Sequence, residues 1–258
     1  MRFKIATFNA NSLRVRLPIV KEWLAKEQPD ALCLQEIKVQ DKDFPTEDFE
    51  AMGYHALFRG QKSYNGVAII TRRPAESGRF SLYGGPLEEA RFISAEIDAV
   101  SLINVYVPQG VAPGTEKFAY KLEWLQELFS YIEKNYKTSL PLLITGDFNV
   151  AFEPIDVYDP EGLRGGVGFH PDEQALMQRF FDWGLIDVFR KHEPGGGFYT
   201  FWDYRIPNAF RRKMGWRIDY ILASPSLAAK SRRAWIDVEP RKVEKPSDHT
   251  FLAAEFEL

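Results

Sequence analysis

Twice in this chain a short apolar strand, a helix and a second apolar strand follow one another, and each time the second strand ends on a carboxylate. The first unit leads from Phe3, Ile5 and Thr7 through Phe8 to Asn9 and Asn11. It continues in SLRVRLPIVKEWLAKEQ, where Leu13, Leu17, Val20 and Leu24 recur at helical spacing, and closes with ALCLQE, which delivers Glu36. Pro18 falls early in that helix and predicts a shortened or bent first part, while Ser12 or Asn11 is placed to cap it. The second unit takes Leu102, Ile103, Val105 and Val107 into YVPQG, then a helix from about Glu116 to Tyr136, then LPLLITGD ending on Asp147. Pro29 to Glu36 and Pro141 to Asp147 read as equivalent crossovers, although residue identity between the halves is too thin for a sequence repeat. The pattern predicts two similar βα layers facing each other, with Glu36 and Asp147 at neighbouring strand ends.

Within LPLLITGDFNVAFEPID (140–156), Asp147 and Asn149 are two apart. If the strand persists they share a face; Gly-Asp and Asn also form turns, and the local sequence permits either. Elsewhere YHALF (54–58), NGVAIIT (65–71), RFISAEI (91–97), YTFW (199–202), WRIDYILAS (216–224) and FLAAEFEL (251–258) read as strands. A helix is predicted over Pro171 to Trp183. Residues 37–53 read as loop with a short helical turn, and 154–170 as a long loop. No Pro/Gly/Ser linker divides the chain, so one domain over 1–258 is expected.

A chain of 258 residues with 45% hydrophobic and 27% charged residues can bury a large core, and it has no apolar run near the ~18 residues a membrane span needs. MRFKIATFNA is strand-like and lacks the apolar region of a signal peptide, so a cytoplasmic protein without a membrane partner is expected. The one cysteine, Cys33, lies in an apolar run and reads as core. A net charge of −3 gives no global attraction to nucleic acid. Locally, however, YRIPNAFRRKMGWRI between Asp203 and Asp219 carries Arg205, Arg211, Arg212, Lys213 and Arg217 without an acidic residue, interleaved with aromatics. Such a stretch is either a solvated face or a surface for strand and base contacts.

Asn9, Asn11, Glu36, Tyr106, Asp147, Asn149, Asp219, Asp248 and His249 all follow or interrupt apolar runs, where a lone polar residue is costly to desolvate. Each has an ordinary reading as a cap, a surface residue or a core aromatic; their joint order suggests one site. A set rich in oxygen and poor in Cys and His suits a hard cation, Mg²⁺ or Mn²⁺.

That order closely resembles the exonuclease III family of DNA repair enzymes. The resemblance runs through FNANSLR (8–14), PDALCLQEIK (29–38), YNGVAI (64–69), YVPQG (106–110), TGDFNVAFEPID (145–156), YTFWDYR (199–205), GWRIDYILAS (215–224) and SDH (247–249). It implies an α/β fold of DNase I type: a four-layered α/β sandwich of two packed mixed β-sheets flanked by helices. It implies a metal held by Glu36 with Asn11 and Asp248 nearby, and chemistry carried by Tyr106, Asp147, Asn149, Asp219 and His249. Asn9 matches a family site asparagine, and Phe201, Trp202 and Trp216 match an aromatic lesion pocket, with Arg205, Arg211 and Arg212 toward the DNA. Asn11 stands where some members have aspartate, removing one negative charge near the metal. Ser12 replaces a common glycine, a change expected to matter little. The implied enzyme is a monomeric, Mg²⁺-dependent nuclease on double-stranded DNA. It cleaves 5′ of abasic sites, with 3′–5′ exonuclease activity and removal of 3′ blocking groups. The alternatives are a non-catalytic nucleic-acid-binding regulator on the same fold and a small-substrate phosphodiesterase.

Overall fold

Alternation along the strand Arg2–Asn9 sends Phe3 and Ile5 to one face and Ala6 and Phe8 to the other, and both faces are buried. A strand covered on both sides needs a sheet or a helix against each face, which is the origin of the layering. The computed structural model of the protein describes residues 1–83 and 89–258. In chain order these give β1 (Arg2–Asn9), α1 (Leu13–Glu27), β2 (Ala31–Gln35), α2 (Thr46–Glu50), β3 (His55–Arg59), β4 (Val67–Thr71), β5 (Ser77–Arg79), β6 (Phe92–Ile97), β7 (Val100–Tyr106), α3 (Glu116–Asn135) and β8 (Leu142–Asp147). The remainder supplies α4 (Pro160–Leu163), α5 (Pro171–Asp182), β9 (Ile186–Asp187), α6 (Val188–His192), β10 (Asp219–Ala223), α7 (Pro225–Ala228), β11 (Ser231–Asp237) and β12 (Phe251–Glu257).

The strands form two six-stranded sheets, ordered β11-β12-β1-β2-β4-β3 and β5-β6-β7-β8-β10-β9. The parallel neighbours, β1 with β2 and β7 with β8, are those joined through α1 and α3, since parallel strands need a crossover of helix length. Ile5, Cys33 and Ile69 of one sheet pack against Leu102, Leu143 and Ile221 of the other. Val20, Trp23 and Leu24 of α1 cover Phe8, Leu34 and Ile70 on one outer face; Trp124, Leu125 and Leu128 of α3 with Met177 and Phe180 of α5 cover Ile103 and Ile144 on the other. This is the four-layered sandwich expected. No helix among the described residues is long and apolar enough to cross a membrane.

Between the sheets, just below one end, lies a buried polar plug. Gln35 donates through Nε2 to Thr7 Oγ1 at 2.9 Å and to Asn104 Oδ1 at 2.6 Å. Asn104 donates in turn to the carbonyls of Leu34 and Ala68 at 3.0 and 2.9 Å. Paired polar groups in a dry interior specify alignment, and this plug fixes the two sheets against each other immediately beneath the strand ends that carry the site.

Several local expectations are corrected. Pro18 does not shorten α1, which runs through it to Glu27. Neither Asn11 nor Ser12 caps α1 with a side chain; the carbonyls of Glu36 and Ile37 accept from Ser12 N and Leu13 N at 2.8 and 2.9 Å instead. YTFW is a bridge at Phe201 rather than a strand, and the strand expected from residue 216 begins at Asp219. The reason is that Thr200 Oγ1, not backbone, accepts from the N–H groups of Ile218 and Asp219. Strand β11 escaped a reading based on apolar runs because Arg232 and Arg233 face solvent on a sheet edge, where charge protects against unwanted pairing.

Ser12 also matters more than expected: its φ of 89° lies in the region that favours glycine. Ser12→Gly is therefore expected to raise stability by about 0.5 to 1 kcal/mol, the relieved strain exceeding the extra freedom of the unfolded chain. A denaturation midpoint unchanged or lowered by the substitution would show that the position is not strained.

Candidate active site

The parity that builds the inter-sheet core also builds the site. Inward-facing positions continue as Asn9 on β1, Tyr106 on β7, Asp147 on β8 and Asp219 on β10, all at one end of the sandwich. Register aligns them across the second sheet: Tyr106 stands opposite Asp147 on the parallel side, and Asp219 opposite Asp147 on the antiparallel side. Gly146 makes the approach possible. With φ of 137°, its missing Cβ would lie 2.0 Å from the Val105 carbonyl oxygen, so no side chain fits immediately before Asp147.

One amide joins the two sheets. Asn9 Nδ2 donates to Glu36 Oε1 and to Asp147 Oδ2, both at 2.9 Å. The two polar pairs do not extend the strands. Asn11 N donates to Asn9 Oδ1 at 2.9 Å and Asn149 N to Asp147 Oδ1 at 2.8 Å, with Asn11 and Asn149 at φ of 42° and 53°. Matching turns thus end β1 and β8, so that of the two readings of Asp147 and Asn149 the turn is the one formed.

Asp147 and Asp219 would repel each other in this dry place without a cation, and His249 supplies it. Its Nδ1 lies 2.8 Å from Asp219 Oδ2 and its Nε2 3.7 Å from Asp147 Oδ2, with the ring 4% exposed. Burial opposes the charged imidazole, yet Asp219 and Asp147 outweigh it and raise its pKa to about 10, so His249 is an imidazolium at neutral pH. Burial lifts the Asp147 carboxyl far above the ordinary carboxylate range, with His249 pulling against the rise and Asp219 adding to it. Burial, with Glu36 and Asp147 adjacent, likewise holds the Tyr106 hydroxyl protonated. Arg91 lies over the Tyr106 ring at 4.6 Å.

On the other sheet, Asn11 Nδ2 donates to Asp248 Oδ1 at 3.0 Å. Lys38 Nζ meets Asn11 Oδ1 at 2.5 Å and Glu36 Oε2 at 2.9 Å. Glu36 and Asn11 thus share the Lys38 ammonium and Asn11 ties them to Asp248, an oxygen-rich group of the chemistry that suits a hard metal ion, which would have to displace Lys38 from the Glu36 and Asn11 oxygens. Asp147, Asp219 and His249 form a second, buried group whose ligand atoms lie within 4.8 Å of one another and could hold a metal ion only with the imidazole neutral.

A cleft of about 830 Å³ opens on part of this group, with Asn9, Asn11, Asp147 and Asp219 outside its lining. Glu36, Tyr106, Asn149, Asp248 and His249 lie at its base, and Phe201, Trp216 and Ile218 form one wall. Phe201 and Trp216 exchange backbone hydrogen bonds at 2.9 Å, and the Phe201 ring lies 4.9 Å from the His249 imidazole. The run 162–168 also lines the cleft, with Leu163 packed in the same cluster as Phe201 and Trp216, and Arg205 stands at the rim with Asp203.

The structure does not bring every candidate to the cleft. Trp202 is buried outside it, edge-on to Phe210 and near Arg241, and its N–H fixes the Asp248 carbonyl at 2.8 Å; it supports the site from behind. Arg211 and Arg212 are exposed on the loop beyond the rim. Arg217 is not a surface charge at all: it is buried between Asp156 and Asp187, both at 2.7 Å. Sequence reading missed Lys38, Gln109 and Ile218. The first two lie within motifs already singled out, QEIK and YVPQG, and Ile218 directly follows Arg217 before Asp219.

Comparison with known proteins agrees with this geometry. Residues 6–249 match the endonuclease/exonuclease/phosphatase family. Exodeoxyribonuclease III of Haemophilus influenzae is 37% identical over 98% of this chain and 99% of that protein. An AP endonuclease structure from Archaeoglobus fulgidus superposes with a TM-score of 0.96 at 44% identity, covering 99% of this chain and 100% of that one. A 3′ phosphatase from Neisseria bound to product DNA hairpin gives 0.94 at 40% identity, covering 99% and 100%. A fold and a strand-end constellation of this kind, matched along nearly the whole chain, place the protein in the endonuclease/exonuclease/phosphatase family.

Proposed function

We propose that this protein is a Mg²⁺-dependent DNA repair nuclease of exonuclease III type. It hydrolyses phosphodiesters 5′ of abasic sites in duplex DNA and removes nucleotides and phosphates from 3′ ends. The observation that carries the reading is the row Tyr106, Asp147 and Asp219 with His249, opening on a cleft whose wall is Phe201, Trp216 and Ile218. The acidic and amide groups suit phosphodiester hydrolysis, and the aromatic wall suits an extruded sugar. The names of its relatives, an exodeoxyribonuclease III, an AP endonuclease and a 3′ phosphatase, support the same substrate class.

Hydrolysis needs an oriented water, an in-line phosphate and relief of charge on the phosphate oxygens. Asp147, fixed by Asn9 and Asn149 N and lifted in pKa by burial, is the group that orients the water and takes its proton. The His249 imidazolium and the Tyr106 hydroxyl are donors for the phosphate oxygens, while Asn149 Nδ2 donates to the Val107 carbonyl at 2.9 Å and to Asp147 Oδ2 at 3.3 Å and so helps to fix Asp147. Glu36, Asn11 and Asp248 would hold Mg²⁺, with Mn²⁺ the alternative. An ion held by these residues would supply positive charge to offset the charge that develops in hydrolysis. We place the enzyme in the cytoplasm as a monomer formed from one domain.

The test is incubation with abasic, 3′-phosphate and undamaged duplexes side by side, with and without chelator. Cleavage of the first two that chelation abolishes is the expected result; no cleavage of either in saturating Mg²⁺ would sink the reading. A small-substrate phosphodiesterase would lack the steep fall of activity with salt expected of a duplex held by Arg205, Arg211, Arg212 and Lys213.

Trp216 separates the lesion pocket from the chemistry. An internal abasic sugar must leave the stack to react, whereas a 3′-terminal phosphate need not. Trp216→Ala, and Phe201→Ala with Trp216→Ala, are expected to lower abasic-site cleavage by ~10 to 100-fold more than 3′-phosphate removal, at ~1 to 3 kcal/mol per lost stacking contact. Because Phe201 also touches His249, its removal depresses both rates, and Trp216→Ala is the cleaner probe. Parallel losses in Trp216→Ala would make the ring a general support.

A further inference from the structure

Helix α3 places a lysine on its core-facing side, among Phe118, Trp124 and Leu125, and neither Lys121 nor its partner Glu173 on α5 has any side-chain exposure. Lys121 Nζ meets Glu173 Oε1 and donates to the carbonyl oxygens of Asn149 at 2.7 Å and Gln109 at 3.3 Å. The other carboxylate oxygen, Glu173 Oε2, accepts from Gly168 N at 2.7 Å and His170 N at 3.1 Å. Both backbone contacts of the ammonium thus go to the site's own loops, and the carboxylate's backbone contacts go to Gly168 of the cleft wall and to His170, the N-cap of α5.

Those two ends meet tightly. Gly168, at φ of 84°, lies so close that a Cβ there would stand 3.3 Å from the Trp216 ring and 3.4 Å from the Asn149 carbonyl oxygen. Its own carbonyl accepts from Ala151 N at 2.7 Å. The left-handed turn at Asn149 is therefore held on its carbonyl side by Lys121, while the glycine wall is held on its amide side by Glu173.

We propose that Lys121 and Glu173 are a buried positioning pair, fixing the Asn149 turn and the Gly168 wall of the lesion pocket at one separation. A pair that only joined α3 to α5 would not need its contacts on the backbone of Gln109, Asn149 and Gly168, all of which line the cleft. The inference rests on the nuclease reading above. It names two residues that touch neither the reacting atoms nor the metal cluster.

The test uses the full chain with Lys121→Met and Glu173→Leu combined. The melting temperature is expected to fall, because four backbone groups lose their partners, and rates are read well below it. Amide hydrogen exchange should speed up in 149–151 and 165–170 and stay unchanged in the strands. The kcat for 3′-phosphate removal should fall ~10-fold and that for abasic cleavage ~100-fold, since small misplacement of positioned groups is costly, with KM nearly unchanged. Wild-type kcat on both substrates, or unaltered exchange in those two segments, would overturn the proposal. Should the double variant not fold, Glu173→Gln, which keeps an acceptor for Gly168 and His170, is measured instead. A lowered kcat with accelerated exchange in 149–151 supports the pair, and wild-type kcat overturns it. Inactivity of the wild-type protein on both substrates would strike the nuclease reading instead, and the exchange measurement stands independently of it.

Discussion

Asp147→Asn is expected to give a folded, DNA-competent protein whose turnover on an abasic duplex is lower by ~10²-fold or more, the scale of a general acid–base contribution. The substitution keeps an oxygen for Asn149 N and removes a buried charge that faces Asp219 across the strand pair. Asn9 loses one of its two acceptors and keeps Glu36. These opposing effects leave stability near wild type, so a loss of rate reads as a loss of chemistry. Glu36→Ala is expected to abolish turnover for a different reason, the loss of the metal-holding carboxylate, and only that variant should shift the Mg²⁺ concentration needed for residual activity. Near-wild-type rates for Asp147→Asn in saturating Mg²⁺ would remove this residue from the mechanism.

His249→Ala and Asp219→Ala are expected each to lower kcat by ~10² to 10³-fold, the range seen when one donor to a developing charge is lost. The double variant should be little worse than either single one, because both remove one unit: Asp219 holds the imidazole at 2.8 Å and keeps it charged. His249→Ala leaves Asp219 buried without its partner and facing Asp147, so it also lowers stability, and rates must be read well below its melting point. Losses that simply multiply in the double variant would mean that the two residues act independently.

Much of the site could be read from the chain because strand periodicity is a local property. Apolar alternation through β1, β8 and β10 assigns Asn9, Asp147 and Asp219 to the same kind of position as Ile5, Leu143 and Ile221, and a polar residue there needs a partner. The aromatic wall was half legible. Phe201 and Trp216 belong to recognisable motifs, but adjacent strand-like residues point to opposite sides, so Phe201 and Trp202 could not both line one cleft. The structure gives the cleft to Phe201 and buries Trp202. The basic stretch was misleading at Arg217 for a related reason: a charge count along the chain carries no information about burial, and the acidic partners Asp156 and Asp187 come from elsewhere in sequence.

The sequence by itself determined the two strand–helix–strand units, the parity of their inward residues and the chemical type of the site, oxygen-rich and poor in sulfur, because each follows from periodicity and composition within a short window. Only the tertiary structure decided what meets across long separations. It set Asp219 opposite Asp147, brought His249 between them, and let one amide of Asn9 bind both Glu36 and Asp147. It also laid Lys121 of α3 and Glu173 of α5 under the turn and wall of the cleft. These contacts depend on how two sheets pack and on the backbone turning left-handed at Asn11 and Asn149, and neither is encoded by spacing along the chain.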